Sequence, residues 1–181
     1  MLSKKEELLT NAAKIINEEG IQKLTMQYLA EKSGITKGGV LYHFDSKEIL
    51  LLNMNKMVIE QFEGKINKYK SKLSGAYQFT RAYALATIDY LDDTENVLLP
   101  SVFISSLEDG KSKELWESVS ESEHWIKLFD QDKGNPDKIL ELRLICDGIW
   151  FSIMYSNVDI FKERMKKIVL HYCDLMERDV I

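Results

Sequence analysis

The sequence holds only two cysteines, two prolines and three histidines in 181 residues, and each scarcity removes a class of protein. Cys146 and Cys173 lie far apart among apolar residues. They make no disulfide framework and are expected as buried thiols in a reducing compartment. His43, His124 and His171 are too scattered for a metal-ligand pattern, and there is no HExxH, no CxxC and no nucleophile elbow. Lys37-Gly38-Gly39 is not a Walker A phosphate loop, so no metal, cofactor or catalytic centre is expected. No segment reaches about 18 uncharged apolar residues, and the start MLSKKEELL is followed by charges rather than an apolar run. A cytoplasmic chain without membrane contact is the expectation.

Strand-like alternation is missing as well, and almost every segment repeats its apolar residues at helical spacing. The chain is 45% hydrophobic, enough to bury a sizeable core, and the fold class expected is all-α. The net charge of −5 conceals an uneven distribution. Up to Lys72 there are 12 basic and 9 acidic residues, a balance of +3; the remainder has 12 basic and 20 acidic, a balance of −8. The N-terminal part is therefore the side suited to an anionic partner, and the acidic remainder would be repelled from it.

The most specific stretch is Leu24 to Leu50, LTMQYLAEKSGITKGGVLYHFDSKEIL. Thr25 is a good N-cap for a short helix carrying Met26, Leu29 and Ala30 and ending at Ser33-Gly34. Gly34 suits a sharp turn, Ile35 an apolar plug, and Thr36 a second cap, for a helix with Val40, Leu41 and Phe44 on its inner side. That is the pattern of a helix-turn-helix that reads a DNA groove. Ahead of it, a helix over Lys4–Glu19 faces Leu8, Leu9, Ala12, Ile15 and Ile16 inward and stops at Gly20. Behind it, Ser46 caps a long helix that ends in the lysine-rich turn before Ser74-Gly75.

Further helices are expected from about Ala76 to Leu91 with a stop at Asp92-Asp93-Thr94, and around Pro100 up to Gly110. Next come Leu115 to Phe129, with a break near Ser122, then Asn135-Pro136 to Ser156, and last Asp159 to Arg178, giving about nine helices in all. The helix after Pro136 carries Leu144, Ile145, Cys146, Ile149, Trp150, Phe151, Ile153, Met154 and Tyr155 over most of its circumference. An all-round apolar helix needs partners on several sides. With the last helix it makes a credible four-helix dimer interface, through Ile145, Gly148, Ile149, Phe161, Met165, Ile168 and Tyr172.

Between Lys4 and about Leu52 the chain resembles the N-terminal domain of the tetracycline-repressor (TetR) family of bacterial transcription regulators. The residues that carry the likeness are Ala12-Ala13, Gly20, Leu24-Thr25, Leu29-Ala30, Gly34-Ile35-Thr36, Gly39, Leu41-Tyr42-His43-Phe44, Ser46-Lys47-Glu48 and Leu50. The resemblance implies a three-helix DNA-binding domain over 1–47 and a helical effector-binding and dimerisation domain over 48–181. It implies a ligand-responsive repressor that binds a near-palindromic operator as a homodimer, with the last two helices forming the dimer seam. Carried over residue by residue, Lys37, Gly38, Gly39 and His43 would lie in or beside the groove, Lys37 donating to guanine. Thr25, Thr36, Tyr42 and Lys47 would meet phosphates. His43 either touches a phosphate or packs against the recognition helix. The two glycines thin out direct readout, leave specificity to DNA shape, and weaken their helix by about 1 kcal/mol each, so that it frays when free of DNA.

The same architecture would bundle Tyr83, Tyr90, Phe103, Trp116, Trp125, Trp150 and Met154 around a cavity for a small-molecule effector, lipophilic or, given Glu108, Glu117, Glu121 and Asp147, cationic. Each of these aromatics has an alternative role as plain core. Asp147 either bonds across the dimer seam or faces the effector. The competing functional reading is a helical dimer that binds a small molecule or a protein without specific DNA binding.

Overall fold

The computed structural model describes residues 3–92, 98–120, 125–155 and 160–178, apart from the side chains of Leu99, Val119, Ser120, Met154 and Tyr155. The expected stop at Asp93-Thr94, the expected break near Ser122, Glu121 and the Met154 side chain therefore lie outside the described residues. Ten α-helices occur among them: α1 (Lys4–Glu19), α2 (Met26–Lys32), α3 (Lys37–His43), α4 (Lys47–Lys70), α5 (Gln78–Asp92), α6 (Leu98–Glu108), α7 (Gly110–Ser120), α8 (Trp125–Asp130), α9 (Pro136–Tyr155) and α10 (Lys162–Arg178). The helical region expected over Leu115 to Phe129 is described as α7, which begins already at Gly110, and α8. A short 3-10 turn spans Ile21–Lys23.

Local chemistry sets most helix ends. At α1, Ser3 Oγ accepts from the Glu6 amide at 3.2 Å while the Glu6 carboxylate accepts from the Ser3 amide at 2.7 Å, a reciprocal capping box. Gly20, at φ 87°, ends that helix. Pro100 falls in the first turn of α6, where its missing N–H costs nothing. Pro136 opens α9, and Asn135 Oδ1 accepts from the Asp137 amide at 2.9 Å.

The helices gather into two compact units, residues 1–60 with 96–118, and residues 61–95 with 119–181. α4 supplies residues to both, since the boundary falls between Glu60 and Gln61. In the first unit, α1 packs on α2 and α6, and α2 packs on α3. Its core contains Leu8, Ile16, Leu24, Leu29, Val40, Phe44, Leu50 and Met54. Leu41, expected to face inward, is exposed instead; α3 spans only two turns and buries Val40, with Phe44 just beyond its end.

A buried polar knot joins three helices of the first unit. Asn55 on α4 donates from Nδ2 to the Leu51 carbonyl at 2.8 Å, Ser105 Oγ at 2.9 Å and Ser112 Oγ at 3.2 Å. Its Oδ1 accepts from Trp116 Nε1 at 2.6 Å. Ser112 in turn donates its amide and hydroxyl to Asp109 at 2.8 and 2.7 Å. With donor and acceptor of the amide both used, Asn55 is buried without the penalty of an orphaned polar group.

In the second unit, α5 packs on α8, α9 and α10, and α9 packs on α10. Tyr77, just before α5, is buried at φ 57°, a left-handed conformation unusual for a bulky residue. Its amide donates to the Lys133 carbonyl at 2.7 Å, and its hydroxyl accepts from the Asn135 amide at 2.8 Å. Gly134 lies against the Tyr77 ring so closely that any Cβ there would collide with it. Asp132 completes this fastening by accepting from the Thr80 amide and hydroxyl, both at 2.8 Å.

Candidate nucleic-acid interface and ligand site

Both caps of the helix-turn-helix form as the sequence requires. Thr25 Oγ1 accepts from the Tyr28 amide at 3.0 Å, and Thr36 Oγ1 accepts from the Gly39 amide at 3.1 Å. Each exposed hydroxyl keeps its own proton for another acceptor. Gly34, at φ 65°, makes the turn, and the Ile35 amide returns to the Ala30 carbonyl at 3.1 Å. A further device was not foreseen from sequence: Glu19, at the end of α1, accepts from the Tyr28 hydroxyl at 2.8 Å and pairs with Lys32 at 3.1 Å. Those two partners hold its carboxyl below the usual range. They also clamp α2 at both its first and its last turn.

α3 presents Lys37 and Gly38 to solvent, together with Tyr42, which is 86% exposed. His43 is half-buried, edge-on to the Tyr42 ring at 5.1 Å and 6.4 Å from Phe44. The two glycines differ. A Cβ on Gly38 would meet only Thr36 Oγ1, at 3.8 Å, whereas one on Gly39 would press on Ile35 Cδ1 at 3.3 Å. A methyl on Gly39 would need Ile35 to yield by a few tenths of an ångström, whereas Gly38 is the position left bare. Lys47, the first residue of α4, is half-buried and donates to the Ile21 carbonyl at 2.7 Å, which leaves two ammonium protons. It is a tethered cation rather than a freely solvated lysine.

The expected effector residues divide between the units. Phe103 and Trp116 belong to the first, where Trp116 is engaged by Asn55. Tyr83, Tyr90, Trp125 and Trp150 belong to the second, and there they surround a ring missing from the expected set. Phe62 of α4 lies 5.1 Å from Tyr83, 5.6 Å from Tyr90, 5.5 Å from Trp125 and 4.9 Å from Trp150, all near-perpendicular edge contacts. Such pairs are worth about 0.5 to 1.5 kcal/mol beyond the area they bury. Among the described residues, the indole N–H groups of Trp125 and Trp150 are buried with no hydrogen-bond partner. Each orphan costs about 1 to 3 kcal/mol.

Asp147 sits 3.4 Å from the Tyr83 hydroxyl and 3.6 Å from Arg143. Burial raises its carboxyl above the ordinary value, against the pull of Arg143. Burial likewise pushes the Tyr83 hydroxyl well up, Cys146 to about 12 and Cys173 to about 11, so both thiols are inert. Among the acidic residues expected to favour a cation, Glu108 and Glu117 are exposed and belong to the first unit. Among the described residues, no three His, Cys, Asp or Glu side chains gather as a metal would require.

Of the residues expected at a dimer seam, Gly148, Phe161 and Ile168 are exposed, while Ile145, Met165 and Tyr172 are half-buried. Ile149 departs from the expectation: it is 4% exposed and belongs to the core of its own unit, on the α9 face shared with Ile139, Leu142 and Cys146. The opposite face of α9 carries Leu140, Leu144 and Phe151, all exposed. α10 also has two apolar stripes. Val169, Cys173 and Met176 are buried, whereas Ile168 and Leu175, with Phe161 just before the helix, are open to solvent.

Residues 8–54 match the family model described as bacterial regulatory proteins, tetR family. Residues 77–171, more than half of the chain, match the tetracyclin repressor-like C-terminal domain.

The chain belongs to the TetR family.

As a TetR-family member it is a DNA-binding transcription regulator of the helix-turn-helix type. It is 24% identical over 186 residues to the HTH-type transcriptional repressor KstR2 of Rhodococcus jostii (strain RHA1), covering 92% of this chain and 89% of that one. Its fold is shared with the structure of ketosteroid transcriptional regulator KstR2 of Mycobacterium tuberculosis, at TM-score 0.68 and 13% identity over 97% and 96% of the two chains. It is shared too with AibR in complex with isovaleryl coenzyme A and operator DNA, at TM-score 0.64 and 16% identity over 92% and 96%. Within this TetR fold, Phe62, Glu19 and Asn55 are the residues that sequence reasoning missed. Each acts through partners distant in the chain, and no local motif marks them.

Proposed function

We propose that this TetR-family regulator is a ligand-responsive repressor, without catalytic activity, that works in the cytoplasm as a homodimer on a near-palindromic operator. Residues 1–47 form the reading head and 48–181 the effector-binding and dimerisation part. The observation that carries the reading is the surface of α3: a solvated Lys37, a bare Gly38 and a protruding Tyr42, flanked by two threonine caps and the tethered Lys47. Lys37 reads a base. Thr25, Thr36, Tyr42 and Lys47 meet phosphates, where the N-terminal amides of α3 and α4 add their own preference for anions. Gly39 completes the Thr36 cap through its amide, and half-buried His43 braces Tyr42.

The open stripes on α9 and α10 support the dimer, because contiguous apolar surface of this kind is costly to leave in water. Two-fold symmetry then spaces two heads by about one turn of DNA. An effector that prefers a different spacing relieves repression; a coupling of about 1 to 3 kcal/mol changes operator affinity about five- to 150-fold. α4, which contributes to both compact units, is the element able to carry that coupling. The AibR complex holds both an acyl-coenzyme A and operator DNA, which supports a two-ligand mechanism without selecting this chain's effector.

Selection of genomic fragments with the purified protein tests the reading, followed by anisotropy titration of the enriched site across salt concentrations. A near-palindrome is expected, bound by a species of dimeric mass in sedimentation. Lys47→Ala should weaken every sequence alike and lower the salt slope by about one per protomer. Lys37→Ala should relax preference at one position per half-site. No enriched site, or a monomeric mass at micromolar concentration, overturns it.

A further inference from the structure

The ring cluster of the second unit has two properties that a plain core does not share. Its middle is filled by a single side chain, Phe62, contacted edge-on by Tyr83, Tyr90, Trp125 and Trp150. Two of the surrounding rings also keep a buried N–H with nothing to bond. A core selected only for packing would favour phenylalanine at such positions, since an indole brings a donor that burial penalises.

The charges nearby are already committed. Lys65 Nζ lies 4.9 Å from the Tyr90 ring centre, and the Arg143 guanidinium 5.3 Å from that of Phe129, a ring which itself packs on Tyr83. Asp147, the carboxylate nearest to Tyr83, faces Arg143. Protein cations thus already sit over Tyr90 and beside the cage at Phe129, which disfavours a further positive charge there. Two unpaired donors call instead for acceptor oxygens.

Deepening the proposed role as an effector-responsive regulator, we propose that the cage around Phe62 is its effector site, and that the effector is a flat ring compound bearing a carbonyl or carboxylate oxygen and no cationic group. Phe62 holds the cage closed in the free protein. The ligand displaces its ring, stacks among Tyr83, Tyr90 and the two indoles, and gives its oxygen to Trp125 Nε1 and Trp150 Nε1. Because Phe62 is part of α4, its displacement acts on the helix that supplies both compact units.

Four probes of one shape test this on the intact protein: acetylnaphthalene, naphthoate, ethylnaphthalene and naphthylmethylammonium. The two oxygen-bearing probes should bind about ten-fold more tightly than the hydrocarbon or the cation, and the better of the two identifies ketone or acid as the preferred form. In proton NMR, the indole N–H signals of Trp125 and Trp150 should move downfield with the oxygen-bearing probes. That of Trp116, already bonded to Asn55, should stay in place. Phe62→Ala should tighten binding of all four, with Phe62→Leu as the milder variant should alanine unfold the chain. Trp125→Phe combined with Trp150→Phe should abolish the preference for oxygen.

Equal binding of hydrocarbon and ketone, tightest binding of the cation, or unmoved Trp125 and Trp150 signals would overturn the proposal. Operator titration on the same preparation separates the two claims. Specific DNA binding with no response to any probe overturns the cage alone, whereas the expected probe response without specific DNA binding supports the cage and overturns the regulator.

Discussion

Three tryptophans carry the same indole N–H, and the two compact units treat it in opposite ways. In the first unit, Trp116 donates to Asn55 within a knot that also satisfies Ser105, Ser112 and Asp109. In the second, Trp125 and Trp150 bury the group unpaired. A region that closes its own hydrogen bonds is built to keep one geometry. One that leaves donors open has retained a cost that an added acceptor removes.

The largest test concerns what keeps the second unit together despite that cost. Gly134→Ala places a Cβ against the Tyr77 ring at a backbone angle of φ 139°. We expect a loss of about 3 kcal/mol or more, as for other substitutions that break both packing and a special backbone position. The urea midpoint should fall accordingly, and retention of the wild-type midpoint would show the Tyr77 fastening to be dispensable.

The tryptophans themselves give the next largest effect, and the sign is what matters. Trp116→Phe strands Asn55 Oδ1 and should cost about 1 to 3 kcal/mol. The same change at Trp125 or Trp150 removes an orphan and should be neutral or stabilising in the absence of ligand. Equal losses at all three positions by urea denaturation would dissolve the contrast between the units.

A smaller effect separates the glycines of α3. Gly38→Ala should firm the helix by up to about 1 kcal/mol, and Gly39→Ala by less, because its methyl meets Ile35. Amide exchange over Lys37 to Val40 checks this. Rapid exchange in the wild type, slowed by Gly38→Ala, is the expected pattern, while full protection without DNA would refute the expected fraying.

The smallest effect is electrostatic and belongs to the second unit. Burial raises the Asp147 carboxyl above 3.8, so the folded state holds that proton more tightly than the unfolded chain does. The corresponding stability is fully present below the unfolded value and is lost as pH rises through the folded one. Asp147→Asn should therefore stabilise the protein at neutral pH, with the gain vanishing below about pH 4. Because nearly half of this side chain is exposed, the gain should stay under about 1 kcal/mol. Melting temperatures across that range would show it, and a loss at neutral pH would mean that the bond to Tyr83 or the pair with Arg143 outweighs burial.

The two regions also differ in how far the sequence disclosed them. Caps and turns at Ser3, Thr25, Gly34, Thr36, Ser46 and Pro136 act within a few residues of themselves, so their positions followed from local chemistry. Phe62 falls in the long helix expected after Ser46, but nothing local marks it as the centre of a cage, because its partners are spread over α5, α8 and α9. For the same reason Ile149 could not be told from its neighbours in a helix apolar on nearly every side. Only packing revealed which face of α9 is buried with Cys146 and which is open at Leu144.

What the sequence determined by itself is therefore the set of local devices: an all-helical chain, a helix-turn-helix with its caps, and a mostly acidic remainder. The tertiary structure decided which polar groups are satisfied and which rings meet. Trp116 became part of a knot, Trp125 and Trp150 the walls of a filled cage, and Lys47 a tethered cation. The physical reason is reach. A cap or a turn is completed by atoms a few bonds away along the chain, whereas a buried indole finds its acceptor, or fails to, only among groups that folding brings in from elsewhere.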